Sequence, residues 1–171
     1  AIVTNSDKLA EDTRVFRNYG SEKRYYNKVV GANSRLDEMQ AGLLNVRLPH
    51  MDEINEERQK IAARYDAELN HPDIVLPKQR KDTVTVWHQY VIRTKYRDEL
   101  IDYLSQNGIG TIIHYPIPPH LAEAYQNLGH KVGDFPITEE YANTVLSIPM
   151  YTGMKEEEQK YVIDVINTWK R

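Results

Sequence analysis

Residues 31–40 carry the first set of side chains whose types and spacing could bind a ligand. Ser34 and Asp37 have the spacing of a helix capping box, so we expect a helix to begin in this segment. The first turn of a helix directs unpaired backbone N–H groups and the positive end of the helix dipole outward. Asn33 and Arg35 add a neutral and a charged donor beside that turn. The segment therefore predicts a phosphate site.

A plain capped helix is the alternative for this segment. Asp37 and Glu38 could satisfy the helix dipole themselves, without any bound anion. The choice between a phosphate site and a plain capped helix depends on a second cluster, residues 114–120. There His114, Tyr115 and His120 share a stretch that contains three prolines. Prolines at this density exclude a helix, so we expect a rigid turn that presents two imidazoles and a phenol.

Composition excludes several classes of function. The net charge of −3 gives no electrostatic reason to expect nucleic acid or an anionic membrane as a partner. The absence of cysteine excludes disulfides, thiolate zinc sites and cysteine nucleophiles, and it suits a cytoplasmic protein. No apolar run approaches the length of a membrane span.

The apolar pattern predicts an α/β protein with a long helical segment near its start. We expect a strand at 1–4, a helix at 6–18, an ordered loop at 21–33, and helices at 34–48 and 49–69 that Pro49 separates or kinks. After residue 74 the pattern alternates and predicts a mixed sheet. The expected strands are 74–76, 84–94, 109–115 and 145–148, and the expected helices are 96–107, 121–128, 138–144 and 155–169.

The first residues indicate that an upstream part of the protein precedes this sequence. Residues 1–4 are strand-like, without an initiator methionine or a polar lead-in. Most domains begin with a few loose residues, so we interpret the chain as a fragment.

The two clusters, their order and the helical segment between them resemble the C-terminal half of the DegT-type sugar aminotransferases. These are pyridoxal-phosphate enzymes of the aspartate aminotransferase fold, and the resemblance covers essentially the whole chain. It rests on residues 17–20, the Gly31/Asn33/Arg35 segment, 40–41, 87–88, 108–111 with 114–116, His120 and 147–149.

The resemblance implies a domain organisation. Residues 1–33 would be a remnant of the large cofactor-binding domain, residues 34–70 a connecting helical arm, and residues 71–171 a small C-terminal α/β domain with flanking helices.

The resemblance also implies roles for four residues. Asn33 resembles a residue that reaches across a homodimer interface to the cofactor phosphate of the partner subunit, and Arg35 would assist in binding a phosphate. Tyr115 and His120 resemble positions that line the sugar-nucleotide cleft. Ser34 stands where an aromatic residue is commoner in the family, which favours relatives that act on dTDP-linked 3-keto-6-deoxyhexoses.

The family's Schiff-base lysine lies upstream of the strand that corresponds to residues 1–4, so no catalytic residue is assigned in this chain. The resemblance implies that the parent protein moves an amino group from an amino acid, glutamate being the donor we favour, to a nucleotide-linked keto-sugar. The fragment alone is expected to be inactive. Two alternatives stay open, a dehydratase of the same family that uses pyridoxamine phosphate and a non-catalytic module for dimerisation or substrate covering.

No metal-binding or catalytic role is predicted for the remaining candidate residues. His114 and His120 do not have the spacing of a common metal site, and no metal is predicted. His88 is expected to be a structural histidine within a strand. Lys8, Lys23 and Lys28 are interpreted as surface charges.

Overall fold

The structure is a computed structural model that describes residues 1–170. The chain divides into two compact units, with unit 1 comprising Ala1–His50 and unit 2 beginning at Met51.

Unit 1 contains two helices and a short hairpin. Ser6 caps the first helix, its side chain accepting a 3.3 Å hydrogen bond from the backbone N–H of Leu9. No described segment pairs with residues 1–4, so the predicted strand there is wrong. The elements are α1 (Asp7–Phe16), β1 (Ser21–Lys23), β2 (Tyr26–Asn27), α2 (Glu38–Arg47) and a 3₁₀ turn at Leu48–His50.

Two glycines allow the backbone of unit 1 to cross itself at close range. A Cβ atom on Gly20 would lie 1.8 Å from the carbonyl oxygen of Val29, and one on Gly31 would lie 2.1 Å from the nitrogen of Gly20. Gly20 also has a φ of 73°, which disfavours other residues. Any larger residue at either position would push the two segments apart.

The helix predicted to begin at residue 34 begins instead at Glu38. Residues 32–34 are held extended against the end of α1, because Asn33 forms an antiparallel bridge with Asn18 and Ser34 donates its backbone N–H to the carbonyl of Arg17. Asp37 is the N-cap residue, in an extended conformation and without a side-chain capping bond. Asn33 therefore lies four residues before the N-cap, and the expected helix terminus beside it is wrong.

Unit 2 contains the apolar core of the described chain. Its 3₁₀ turns at Pro119–Leu121 and Glu123–Leu128 replace the helix predicted over 121–128. Its helices and strands are α3 (Met51–Glu68), β3 (Tyr90–Arg93), α4 (Arg97–Gln106), α5 (Pro136–Thr144), β4 (Val145–Ile148) and α6 (Glu156–Thr168).

The sheet of unit 2 is antiparallel at every described pairing, so the predicted mixed sheet is wrong. Strands β3 and β4 pair with Val91 opposite Ser147. The strands predicted at 74–76 and 109–115 are reduced to single bridges, from Val75 to Arg93 and from Ile112 to Ser147. Pro77 and Pro116 follow these segments closely, and neither residue can donate a backbone hydrogen bond to extend a ladder.

Helices α3, α4 and α6 supply most of the core around this sheet. On α3, Ile61 and Tyr65 are buried, and on α4, Leu100 and Leu104 are buried. Tyr161 of α6 is half exposed and donates its hydroxyl to the carbonyl of Asn107. The buried apolar residues of α6 and its C-cap are Val162, Ile163, Val165, Ile166 and Trp169.

Two buried tyrosines form hydrogen bonds within this core. Tyr65 donates its hydroxyl to the carbonyl of Pro149 at 2.7 Å, and Tyr90 donates to the carboxylate of Asp66. Burial raises the pKa of both phenols, and the Asp66 carboxylate raises that of Tyr90 further. Both therefore stay neutral donors at physiological pH.

Truncation of a core residue of β4 should destabilise unit 2. We expect Leu146→Ala to lower the free energy of unfolding by about 2–5 kcal/mol, because Leu146 is fully buried and the change leaves a cavity. Leu128→Ala makes the same truncation at a side chain that is 60% exposed and should cost much less. Urea denaturation followed by circular dichroism would measure both, and equal losses would contradict this core.

Candidate functional site

Three neighbouring extended segments of unit 2 place polar side chains on one face of the sheet. Side chains alternate between faces along a strand. Gln89 lies two residues before Val91, which is opposite Ser147, and His114 lies two residues after Ile112, which bridges to Ser147. Gln89, His114 and Ser147 therefore share a face.

The imidazole of His114 is hydrogen bonded at both nitrogens. Its Nδ1 lies 2.9 Å from the hydroxyl oxygen of Ser147, and its Nε2 lies 3.0 Å from the amide nitrogen of Gln89. Ser147 is 7% exposed, so two strands and the following segment fix the orientation of this ring.

These three residues form one wall of a cavity of about 340 Å³ in unit 2. The complete lining of the cavity mixes a guanidinium, two imidazoles, an amide and two hydroxyls with backbone and apolar groups. It could hold a polar ligand of moderate size. The remaining lining residues are Arg58, His88, Gly110, Thr111, Ile112, Ile148, Pro149 and Met150.

Two side chains of α3 fix the rim of this cavity. Arg58 donates from Nη1 to the carbonyls of Trp87 and His88, at 3.0 and 3.1 Å. Tyr65 donates its hydroxyl to the carbonyl of Pro149, another residue of the lining. Helix α3 therefore holds two of the segments that line the cavity.

Tyr115 follows His114 in sequence but does not line this cavity. Its side chain is 73% exposed, its ring meets the His114 ring edge-on at a centroid distance of 5.5 Å, and its hydroxyl bonds to no described residue. The phenol is thus free to contact a ligand outside the cavity wall.

His120 lies in a separate cluster of unit 2. Its side chain is 8% exposed, and its Nε2 lies 3.1 Å from a carboxylate oxygen of Glu139. Phe135 packs against the ring edge at a centroid distance of 4.7 Å. The structure therefore does not bring His120 to the cavity wall with His114.

Glu139 anchors the turn at 133–135. Its carboxylate accepts the backbone N–H of Gly133 at 2.8 Å and that of Phe135 at 3.3 Å, in addition to the His120 contact. Desolvation acts to raise the pKa of Glu139, but these hydrogen bonds outweigh it, so its pKa is lower than usual.

In unit 1, the structure brings the other two predicted site residues together. Arg35 donates from Nε to the carboxamide oxygen of Asn33 at 3.1 Å, and its guanidinium lies 5.6 Å from the centre of the Tyr19 ring. Both residues are exposed. The carboxamide nitrogen of Asn33 bonds to none of residues 1–170, which leaves it available to an acceptor.

The sequence prediction did not identify several residues that line the cavity. Gln89 and Ser147 lie within predicted strands, where alternation could have shown that they share a face with His114. His88 precedes β3 and lines the cavity with an exposed side chain, so its predicted position within a strand is wrong.

Comparison with known proteins places these features in a family. Residues 1–167 match the model of the DegT/DnrJ/EryC1/StrS aminotransferase family. The chain therefore belongs to that family, and the resemblance noted in the sequence is confirmed.

Several relatives are similar along nearly the whole chain. A pleiotropic regulatory protein of Geobacillus stearothermophilus is 45% identical over 99% of this chain and 46% of its own length. A dTDP-3-amino-3,6-dideoxy-α-D-galactopyranose transaminase of Aneurinibacillus thermoaerophilus is 43% identical, again over 99% and 46%. The crystal structure of DesV from S. venezuelae matches with a TM-score of 0.92 and 43% identity, over 98% of this chain and 45% of that one.

The chain thus spans about half the length of the curated relatives that it matches. Its α/β architecture matches that of the DesV structure. Within residues 1–170, no helix is long and apolar enough to cross a membrane, and no group of three or more acidic, histidine or cysteine side chains is placed to hold a metal ion.

Loss of the Glu139 charge should destabilise the 133–135 turn in a pH-dependent way. A carboxyl group with a lowered folded-state pKa stabilises the fold above its unfolded-state pKa and loses this contribution as the pH falls through the folded-state value. We expect Glu139→Gln to lower the melting temperature at pH 7, with a difference from the unmodified chain that shrinks below about pH 4.5. Glu123→Gln, at an exposed position, is the matched control. A constant difference across pH 3–7 would contradict the assignment.

Proposed function

We propose that the protein containing this chain is a pyridoxal-phosphate-dependent nucleotide-sugar aminotransferase. It moves an amino group from an amino acid, with glutamate as the favoured donor, to a nucleotide-linked keto-sugar. The observation that carries this proposal is the match to DesV along 98% of the chain, at 43% identity. The transaminase from Aneurinibacillus thermoaerophilus, which is named for a dTDP-linked amino sugar, supports the substrate class.

The proposed phosphate ligands are Asn33 and Arg35. Their chemistry fits this group, because an unpartnered carboxamide nitrogen and a charged guanidinium are exposed side by side. The Nε bond from Arg35 to the Asn33 oxygen orients the carboxamide so that its nitrogen faces away from Arg35. The phosphate would thus be bound by two side chains, without the helix terminus that the sequence suggested.

The cofactor supplies an electron sink for the amino-group transfer when it is bound. No lysine of this chain is assigned to it, and we propose that the Schiff-base lysine belongs to the half of the relatives that this chain does not span. The chain alone would then bind and orient ligands without catalysing the reaction.

The proposed assembly is a homodimer in which Asn33 and Arg35 serve the cofactor phosphate of the partner subunit. Their exposure supports this proposal, since a phosphate held from a neighbouring subunit must be approached by outward-facing donors.

The substrate end of the site is proposed to include Tyr115 and His120. Tyr115 offers an exposed phenol next to the cavity residue His114. His120 has its Nε2 engaged by Glu139, and its Nδ1 bonds to no residue of the described chain, so Nδ1 is the atom that could contact a sugar nucleotide.

Removal of the Asn33 carboxamide should weaken cofactor binding in the full-length enzyme. We expect Asn33→Ala to raise the Kd for pyridoxal phosphate about 10-fold, because a hydrogen bond to a charged group is lost. Asn33→Asp should bind more weakly still, since a carboxylate repels the phosphate.

Equilibrium dialysis of the cofactor measures this effect. Asn127→Ala is the control, because Asn127 is an exposed asparagine of unit 2. Unchanged cofactor affinity in both Asn33 variants would remove this residue from the site.

Loss of the Tyr115 hydroxyl should affect the sugar substrate and leave the amino donor unaffected. We expect Tyr115→Phe to raise KM for the nucleotide sugar about 5-fold, as one neutral hydrogen bond is worth about 1 kcal/mol. Steady-state kinetics with each substrate varied separately would measure this. Tyr125→Phe, at a half-exposed tyrosine of unit 2, is the matched control. Equal KM values in Tyr115→Phe and the unmodified enzyme would contradict the assignment.

A further inference from the structure

The hydrogen bonds around His114 have a defined direction. A primary amide nitrogen can only donate, so Gln89 donates to the Nε2 of His114. That nitrogen must therefore carry a lone pair, and the proton of the neutral ring lies on Nδ1. Nδ1 then donates to the hydroxyl oxygen of Ser147 at 2.9 Å.

This direction leaves the hydroxyl proton of Ser147, and the second lone pair of its oxygen, without a partner among the three residues. The hydroxyl oxygen of Ser147 accepts from His114, so its own proton cannot point back along that bond. The oxygen has no other hydrogen-bond partner within residues 1–170, and Ser147 lines the cavity while it is 7% exposed. Because Ser147 lines the cavity, a ligand held there can supply an acceptor for this proton.

We propose that Gln89, His114 and Ser147 form an ordered relay that leaves the hydroxyl proton of Ser147 to donate a hydrogen bond to an oxygen of the ligand in the cavity. Ser147 contacts the ligand, whereas Gln89 and His114 are positioning residues that set its donor role. A ligand that places an acceptor oxygen there is favoured over one that leaves this proton without a partner.

The identity of the ligand rests on the proposed function. For a nucleotide-linked keto-sugar, the acceptor is a carbonyl or hydroxyl oxygen of the hexose. The direction of the relay rests only on the arrangement of these three side chains.

The protonation of His114 tests the relay without any enzyme assay. We expect long-range ¹H–¹⁵N spectra of the chain at pH 7.5 to show a neutral ring with a protonated Nδ1, the signal being identified by its loss in His114→Gln. Gln89→Glu places an acceptor at Nε2 and should move the proton there or charge the ring. A ring already protonated at Nε2 in the unmodified chain would overturn the relay.

The role of Ser147 is tested in the full-length enzyme. We expect Ser147→Ala to raise KM for the nucleotide sugar about 10-fold with little change in kcat, whereas Ser147→Thr, which keeps a hydroxyl, should retain more of the affinity. Ser105→Ala, an exposed serine on α4, is the control. A KM in Ser147→Ala equal to that of the unmodified enzyme would overturn the ligand contact.

Failure of the proposed function is distinguishable from failure of this inference. If the full-length enzyme transfers no amino group, calorimetric binding of a dTDP-linked hexose to the unmodified protein and to Ser147→Ala replaces the KM comparison. Equal affinities, or a lack of binding to both, would overturn the contact. If Ser147→Ala does not fold, Ser147→Cys, whose thiol is a weak donor, takes its place in the same comparison.

Discussion

The antiparallel pairing of β3 with β4 is the interaction on which unit 2 depends. It buries Ile92 and Leu146 on the helix side, and on the other face it aligns Ser147 with the segments that carry Gln89 and His114. One register thus fixes both the core and the polar wall of the cavity. A slip by one residue would exchange the two faces, so that the apolar side chains would lose their packing and the polar network its geometry.

The long helix α3 links the core to the cavity rim. Its C-terminal half packs Ile61 and Tyr65 into the core, while Arg58, less than one turn before Ile61, holds the carbonyls of Trp87 and His88. Trp87 has a φ of 48°, an uncommon conformation for a bulky residue. The Arg58 bonds stabilise that conformation locally, and they keep His88 and Gln89 at the wall.

Sequence reasoning succeeded where the apolar pattern was long and periodic. It located α3, α4, α6 and β4 within a residue or two, because these elements bury a continuous face. It failed where tertiary contacts override local preference. Nothing in the pattern of Ser34 and Asp37 indicates that the backbone of Ser34 bonds to Arg17, and that contact moves the helix start to Glu38. The pairing of Asn33 with Arg35 and the Gln89–His114–Ser147 network likewise depend on side-chain positions that spacing does not specify.

The backbone of unit 1 crosses itself at close range, yet almost none of its side chains is buried. Gly20 and Ser21 are its only buried residues, and all fifty of its residues are described. Large apolar side chains such as Met39, Leu43 and Leu44 are exposed on α2. A segment with so little apolar burial gains too little hydrophobic free energy to offset the entropy of ordering its backbone. Unit 1 therefore needs a further surface that covers its apolar side chains in order to fold stably. Amide hydrogen exchange throughout the first fifty residues would report whether such a surface is present.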